Sequence, residues 1–145
     1  MAKLGSRASW GGNYCQDLTE TTSLTPADSG KVFFLNSATE FTVTLPSVAD
    51  AGAGFNCKFI VKAAPSGADY VITEKTSADT NIIVTNGIVE LEVDTGTDGL
   101  YNAGHTTISF ADGVAVKGDW VELLCDVTNW YAKGATNADG GATLA

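Results

Sequence analysis

The chain has 145 residues, enough for one domain that buries roughly 70% of the surface its unfolded form exposes, with no need of a disulfide or metal staple. Hydrophobic residues make up 44% and charged residues 17%, with sixteen glycines against three prolines, which excludes a disordered chain and predicts a turn-rich folded one. The net charge of −9 excludes a general nucleic-acid binder, because such proteins need clustered Lys and Arg to displace counterions from phosphates.

Residues 1–17 (MAKLGSRASWGGNYCQD) are rich in Gly and Ser, have no periodicity, and hold two aromatics, Trp10 and Tyr14. Lys3 and Arg7 are the only charges in the first sixteen residues, so that stretch carries +2 and the remainder −11. A basic, aperiodic segment with spaced aromatics predicts a flexible docking arm that orders on a partner surface. The opening residues 1–6 lack the apolar core of a secretory signal, and no stretch approaches the roughly 18 apolar residues of a membrane span. A soluble product made in the cytoplasm, with no membrane partner, is therefore expected.

The body is expected over residues 18–145. A Thr-rich run at 19–25 leads into the turn cluster 26–30, where Pro26 presets φ and Gly30 permits a positive one. Residues 31–36, with Val32, Phe33, Phe34 and Leu35, and residues 40–45 read as an antiparallel hairpin closed by Pro46. Residues 47–54 read as a loop. Residues 56–63 form the clearest strand, with Phe55, Cys57, Phe59 and Val61 on one face and Asn56, Lys58, Ile60 and Lys62 on the other. Pro65-Ser66-Gly67 turns the chain and residues 70–73 return it. Residues 82–84 and 88–93 flank Asn86-Gly87, the dipeptide best suited to a type I′ hairpin. A Gly- and Asp-rich loop at 95–104 precedes a strand at 106–110, a turn at 111–113 and a short strand at 114–116. Residues 120–125 and 130–133 form a last hairpin across Asp126-Val127-Thr128-Asn129, and residues 134–145 return to Gly, Ala and Asn.

About nine or ten short strands with turn signals every eight to twelve residues predict an all-β single domain, an antiparallel β-sandwich or jelly-roll-like fold or a β-barrel. Helix content is expected to be minimal, with no tandem repeat and no second domain.

Residues suited to catalysis are few and scattered. His105 is the only histidine, and no G-x-S-x-G elbow accompanies it, so a structural role is expected. Asp94-Thr95-Gly96-Thr97-Asp98-Gly99 resembles the start of a calcium loop, but Gly stands at the third position and His105 where a bidentate Glu belongs; a turn is the better reading. Gly30-Lys31 lacks the rest of a phosphate-binding loop, and Gly52-Ala53-Gly54 lacks the third Gly of a dinucleotide fingerprint. Glu90 and Glu92 share one strand face, expected to be solvated. Cys15, Cys57 and Cys125 are odd in number with no C-x-x-C pair, which predicts three free thiols, Cys57 and Cys125 acting as small buried hydrophobes. Trp120, Trp130 and Tyr131 lie in apolar strands and read as core or subunit contacts in preference to a sugar-stacking platform. No enzyme activity, cofactor or metal is expected.

Three runs, SGKVFFLN at 29–36, FTVTLP at 41–46 and FIVK at 59–62, resemble β-modules of tailed-bacteriophage virion proteins. The stretch DGVAVKGDWVEL at 112–123 followed by DVTNWYAKG at 126–134 is similar to the closing strands of such modules, and the resemblance covers roughly residues 25–135. A stand-alone chain of this kind, without fibre shaft or heptads, resembles a head decoration, or cement, protein. The resemblance implies a viral structural protein made in the host cytoplasm. Such a protein sits on the outer capsid surface of the virion, binds the major capsid protein, clamps neighbouring capsomers and forms a homotrimer. In that role Lys3, Arg7, Trp10 and Tyr14 would dock the arm on the shell. A tail-fibre or receptor-binding module and a carbohydrate-binding module are the alternatives.

Overall fold

The computed structural model describes residues 14–92 and 99–145. In chain order these hold β1 (Cys15–Leu18), β2 (Thr22–Ser23), β3 (Val32–Leu35), β4 (Phe41–Thr44), β5 (Asn56–Val61), β6 (Tyr70–Thr73), β7 (Ile83–Glu90), β8 (Gly99–His105), β9 (Thr107–Phe110), β10 (Trp120–Cys125), β11 (Trp130–Thr136) and β12 (Ala142–Leu144). A 3-10 turn spans Pro26–Asp28, and a one-turn helix, α1, spans Val48–Ala51. Ser47 caps α1, accepting the Asp50 N–H on its hydroxyl at 3.2 Å.

The strands form a seven-stranded sheet ordered β1-β3-β5-β10-β11-β7-β8 and a five-stranded sheet ordered β12-β9-β6-β4-β2. The fold is all-β in one domain, with a single apolar core built from both sheets. Within β3 to β6 every second side chain is buried, so Phe33, Leu35, Phe59 and Val61 of one sheet share that core with Phe41, Val43, Tyr70 and Ile72 of the other. At roughly 1.5 to 3 kcal/mol per fully buried large apolar side chain, this alternation is the main force holding the layers together.

Through β6 the chain changes sheet after every strand, so β1, β3 and β5 lie side by side in one sheet and β2, β4 and β6 in the other. Neighbours reached this way run in the same direction, and β1–β3, β3–β5, β2–β4 and β4–β6 are all parallel. The first half of the chain is thus a flattened coil whose turns stack in register: Phe33 on Phe59, Leu35 on Val61, Phe41 on Tyr70 and Val43 on Ile72. The rings of Phe33 and Phe59 stack at 5.4 Å, and those of Phe41 and Tyr70 pack at 4.7 Å. The Tyr70 hydroxyl donates to the Ser37 carbonyl at 2.6 Å and lies 3.0 Å from the Ala63 carbonyl, joining the corners of successive coil turns. The hairpin β10–β11 then inserts between β5 and β7, antiparallel to β5 and parallel to β7.

Several sequence expectations are corrected. The sheets are mixed, not antiparallel, because a strand that crosses to the facing sheet cannot pair with its predecessor. Residues 31–36 and 40–45 therefore form no hairpin; β3 and β4 lie in different sheets, as do β5 and β6. Asn86-Gly87 makes no I′ turn: β7 runs straight through it, with Gly87 at φ 117° and a register shift against β8. The last hairpin strand is longer than its expected end at residue 133, since β11 reaches Thr136, and β12 follows it, antiparallel to β9. At the other end the body begins before residue 18, because Cys15, Gln16 and Asp17 pair with Val32, Phe33 and Phe34. The described residues do contain a structural repeat, the stacked coil turns.

Candidate functional site

The outward faces of the two sheets differ in chemistry, and the difference originates in strand composition. In the five-stranded sheet β4, β6 and β9 read FTVT, YVIT and TISF, so their outward residues are mostly hydroxyl-bearing: Thr42, Thr44, Thr73, Thr107 and Ser109. In the seven-stranded sheet β3, β5 and β10 read VFFL, NCKFIV and WVELLC, with apolar residues at both parities. Clean alternation belongs to a sheet with one wet face, near-continuous apolar runs to strands covered on both.

Strand register arranges the outward residues of the seven-stranded sheet in rows. Phe34, Ile60, Trp120, Ala135 and Val89 lie side by side across β3, β5, β10, β11 and β7. The next row holds Val32, Lys58, Glu122 and Lys133, and the third Asn56, Leu124, Tyr131 and Val84. Leu124 is 48% exposed, Val89 46% and Tyr131 41%, so these apolar side chains meet solvent. A hollow of about 360 Å³ opens between the second and third rows, walled by Leu124, Tyr131, Glu122, Lys133 and Asn56.

Three lysines of this face have partners within it. The Lys58 ammonium stands 4.1 Å from the centre of the Trp120 ring, a cation–π contact of about 0.5–1 kcal/mol. Lys133 reaches Glu122 at 3.6 Å, and Lys62 pairs with Asp17 at 2.5 Å. The Lys62 ammonium, and after it the Asn36 amide, holds the Asp17 carboxyl below the usual aspartate range.

One corner of the face is the β10–β11 turn. The Asp126 carboxylate accepts the Asn129 N–H at 2.7 Å, the Thr128 N–H at 2.8 Å and the Tyr131 hydroxyl at 2.9 Å. The Asn129 and Thr128 N–H groups keep that carboxyl low, and the hydrogen bond that Tyr131 donates to it, followed by its charge, pushes the Tyr131 phenol up. Val127 sits at the tip with φ 71° and is half exposed. For a β-branched residue this backbone is strained. The Tyr131 ring is held beside the tip by its hydroxyl.

Of the residues singled out in the sequence, Lys3, Arg7 and Trp10 lie outside the described residues, as do Asp94 to Asp98 of the calcium-like loop. Tyr14 is 53% exposed at the start of the sheet, its carbonyl accepting the Val32 N–H at 2.8 Å. Trp120 and Tyr131 lie on the outward face, whereas Trp130 is fully buried with its ring edge-on to Phe55 at 5.4 Å. Trp130 and Tyr131 are consecutive on one strand and so point to opposite faces; the three aromatics form no common platform. The inward row through Trp130 continues over Ile83 to His105, whose Nε2 is buried with no hydrogen-bond partner among the described residues.

Glu90 and Glu92 do not make a solvated pair. Glu90 is buried and accepts the Gly140 N–H at 2.9 Å. Glu74 and Asp119 are likewise buried and accept backbone N–H groups, from Asn81 and Ile82 and from Val116 and Asn137 respectively, which makes them staples between loops. All three cysteines are free thiols; burial pushes those of Cys57 and Cys125 up, and Cys15 alone is exposed.

Sequence reasoning placed Ile60 on the polar face of its strand but missed Phe34, Leu124 and Val89 as outward residues. Their signal was the apolar doublets Phe33-Phe34, Ile88-Val89 and Leu123-Leu124, which place an apolar side chain on each face. Searches against protein-family models, curated proteins and solved structures find no match to this chain.

Proposed function

We propose that this chain is a decoration, or cement, protein of a tailed bacteriophage, binding the major capsid protein on the outer surface of the assembled head and reinforcing contacts between capsomers. The observation that carries the reading is the broad outward face of the seven-stranded sheet, with three rows of apolar and internally paired charged side chains on a body of small strands. Such a surface is suited to assembly, since contiguous exposed apolar patches on soluble domains mark interaction sites. The resemblance of residues 25–135 to virion β-modules supplies the class of assembly. The segment that precedes β1 supplies Lys3, Arg7 and Trp10 for the shell.

The test is co-sedimentation of the purified chain, and of a version lacking residues 1–13, with matching capsids stripped of accessory proteins. The cut falls before β1, so the sheet keeps its edge strand. Saturable binding by the full chain, lost or weakened tenfold or more without the segment, is expected. A folded chain that fails to bind in either form overturns the reading.

The hollow beside Tyr131 favours a second one, a glycan-binding module of a tail fibre. There an aromatic ring, the Asn56 amide, the Glu122 carboxylate and the Lys133 ammonium border one concavity. Binding of isolated saccharides that Tyr131→Ala abolishes would put this reading first.

A further inference from the structure

We infer that the β10–β11 turn anchors the capsid contact, its tip residue Val127 seating in an apolar socket with a basic rim on the major capsid protein. The inference rests on the assembly reading above. It deepens that reading by naming the side chain that makes the contact and the chemistry that receives it.

Strand register makes the turn project. The ladder between β10 and β11 closes on the pair Cys125 and Trp130, and beyond it the Asp126 N–H donates to the Asn129 carbonyl at 3.2 Å. Val127 and Thr128 are thus a two-residue loop. The flanking ladders end short of it: β5 meets β10 from Asn56 opposite Leu124, and β7 meets β11 from Ile83 opposite Trp130. The tip stands past the last paired residue of both neighbouring strands.

The backbone at the tip is fitted to a different residue. A positive φ at the first position of a two-residue hairpin loop is the place of Gly, with Asn and Asp next, because a Cβ there crowds the backbone. Here it is occupied by a β-branched side chain at φ 71° that is half exposed. Its N–H donates to the Cys125 sulfur, a contact that any residue but proline would supply. The Asp126 carboxylate holds Thr128, Asn129 and Tyr131, so the strained conformation is fixed from both sides. Strain held in this way accompanies function. An apolar side chain kept in water at a strained position has its use in contact with a second molecule, and a turn already rigid loses little entropy on docking. Leu124 and Tyr131, opposite each other at the base of the turn and both exposed, widen the apolar tip.

Charge identifies the receiving surface. Lys58, Lys62 and Lys133 have partners within the sheet face, whereas no lysine or arginine pairs with Asp126 among the described residues. An exposed carboxylate beside an apolar tip is complemented by a cationic rim around an apolar socket.

The experiment is co-sedimentation of the full chain with matching capsids stripped of accessory proteins, comparing the wild type with Val127→Asn, Val127→Gly and Val127→Ile. Circular dichroism and Tm report folding. Asn and Gly each relieve the strain, so a loss of binding by either is not a loss of fold, and one serves if the other does not fold. The expected result is that Val127→Asn and Val127→Gly keep or raise Tm yet bind about tenfold or more weakly, as removal of an anchor side chain does, while Val127→Ile binds within about threefold of the wild type. Folded Asn and Gly variants that lose less than this overturn the inference and leave the cement role standing. A Val127→Ile that binds no better than Val127→Asn overturns it too, because apolar character is then not what the shell reads. A folded wild type that ignores capsids overturns the cement role and, with it, the anchor.

Discussion

Val127 is held at φ 71° by neighbours on both sides: its N–H donates to the Cys125 sulfur at 3.4 Å, and Asp126 ties down the two residues that follow. For an L-residue with a branched β-carbon this region costs about 1–2 kcal/mol more than for Asn or Gly. Val127→Asn is therefore expected to raise stability by about 1 kcal/mol, read as an upward shift of the urea midpoint with an unchanged slope. A loss of stability would mean that the half-exposed valine side chain packs in a way that outweighs its backbone. At this scale the sequence was legible for buried residues and much less so for exposed ones. Cys57 and Cys125 in apolar runs were readable as buried thiols. That Trp130 enters the core while Tyr131 meets solvent was not, because two adjacent aromatics fix neither parity until a partner strand sets the register.

Strand existence was largely readable from alternation, since period 2 depends only on which face is buried. Pairing was not. The patterns of β3 and β4 suit a hairpin within one sheet and a crossing between two equally well, and only the facing layer decides. The coil repeat was hidden for a related reason: Phe33 and Phe59 are 26 residues apart, but Phe41 and Tyr70 are 29, so the stacked turns have no fixed period in sequence. The Gly134 position in β11 shows how closely the inserted hairpin fits. A Cβ there would clash with the Trp120 carbonyl oxygen, which is backbone and cannot rotate away. Gly134→Ala is expected to cost about 1–3 kcal/mol as β10 and β11 are forced apart. It should also speed hydrogen exchange at the amides of this ladder more than elsewhere. An unchanged Tm would show that the two strands separate at no cost.

For the whole molecule, acid is the informative variable. Asp17 and Asp126 are both held below the ordinary aspartate value, by Lys62 and by the Asn129 N–H first of all. Each therefore favours the folded state fully at pH values above that ordinary range, near 4, and gives the contribution up as pH falls through its lowered folded value. Tm is expected to stay level from about pH 7 to 5 and to fall below about pH 4. Asp126→Asn should lower the plateau and make the acid fall shallower. A variant whose Tm tracks the wild type at a constant offset down to acid would show that Asp126 does not contribute through its charge.

The stacked coil of β1 to β6 makes the molecule directional. Its later turns are closed in by the β10–β11 hairpin, whereas the turn formed by β1 and β2 has a neighbour on one side only, β3 beside β1 and β4 beside β2. In a stack held by nearest-neighbour contacts, a terminal layer opens at the smallest free-energy cost. This end layer is also where the chain preceding Tyr14 joins the body. A pull transmitted through that segment would thus peel β1 from β3 one hydrogen bond at a time and spend itself there before reaching the shared core. The first coil turn would act as a yielding hinge pin between the point of pull and a body that stays folded.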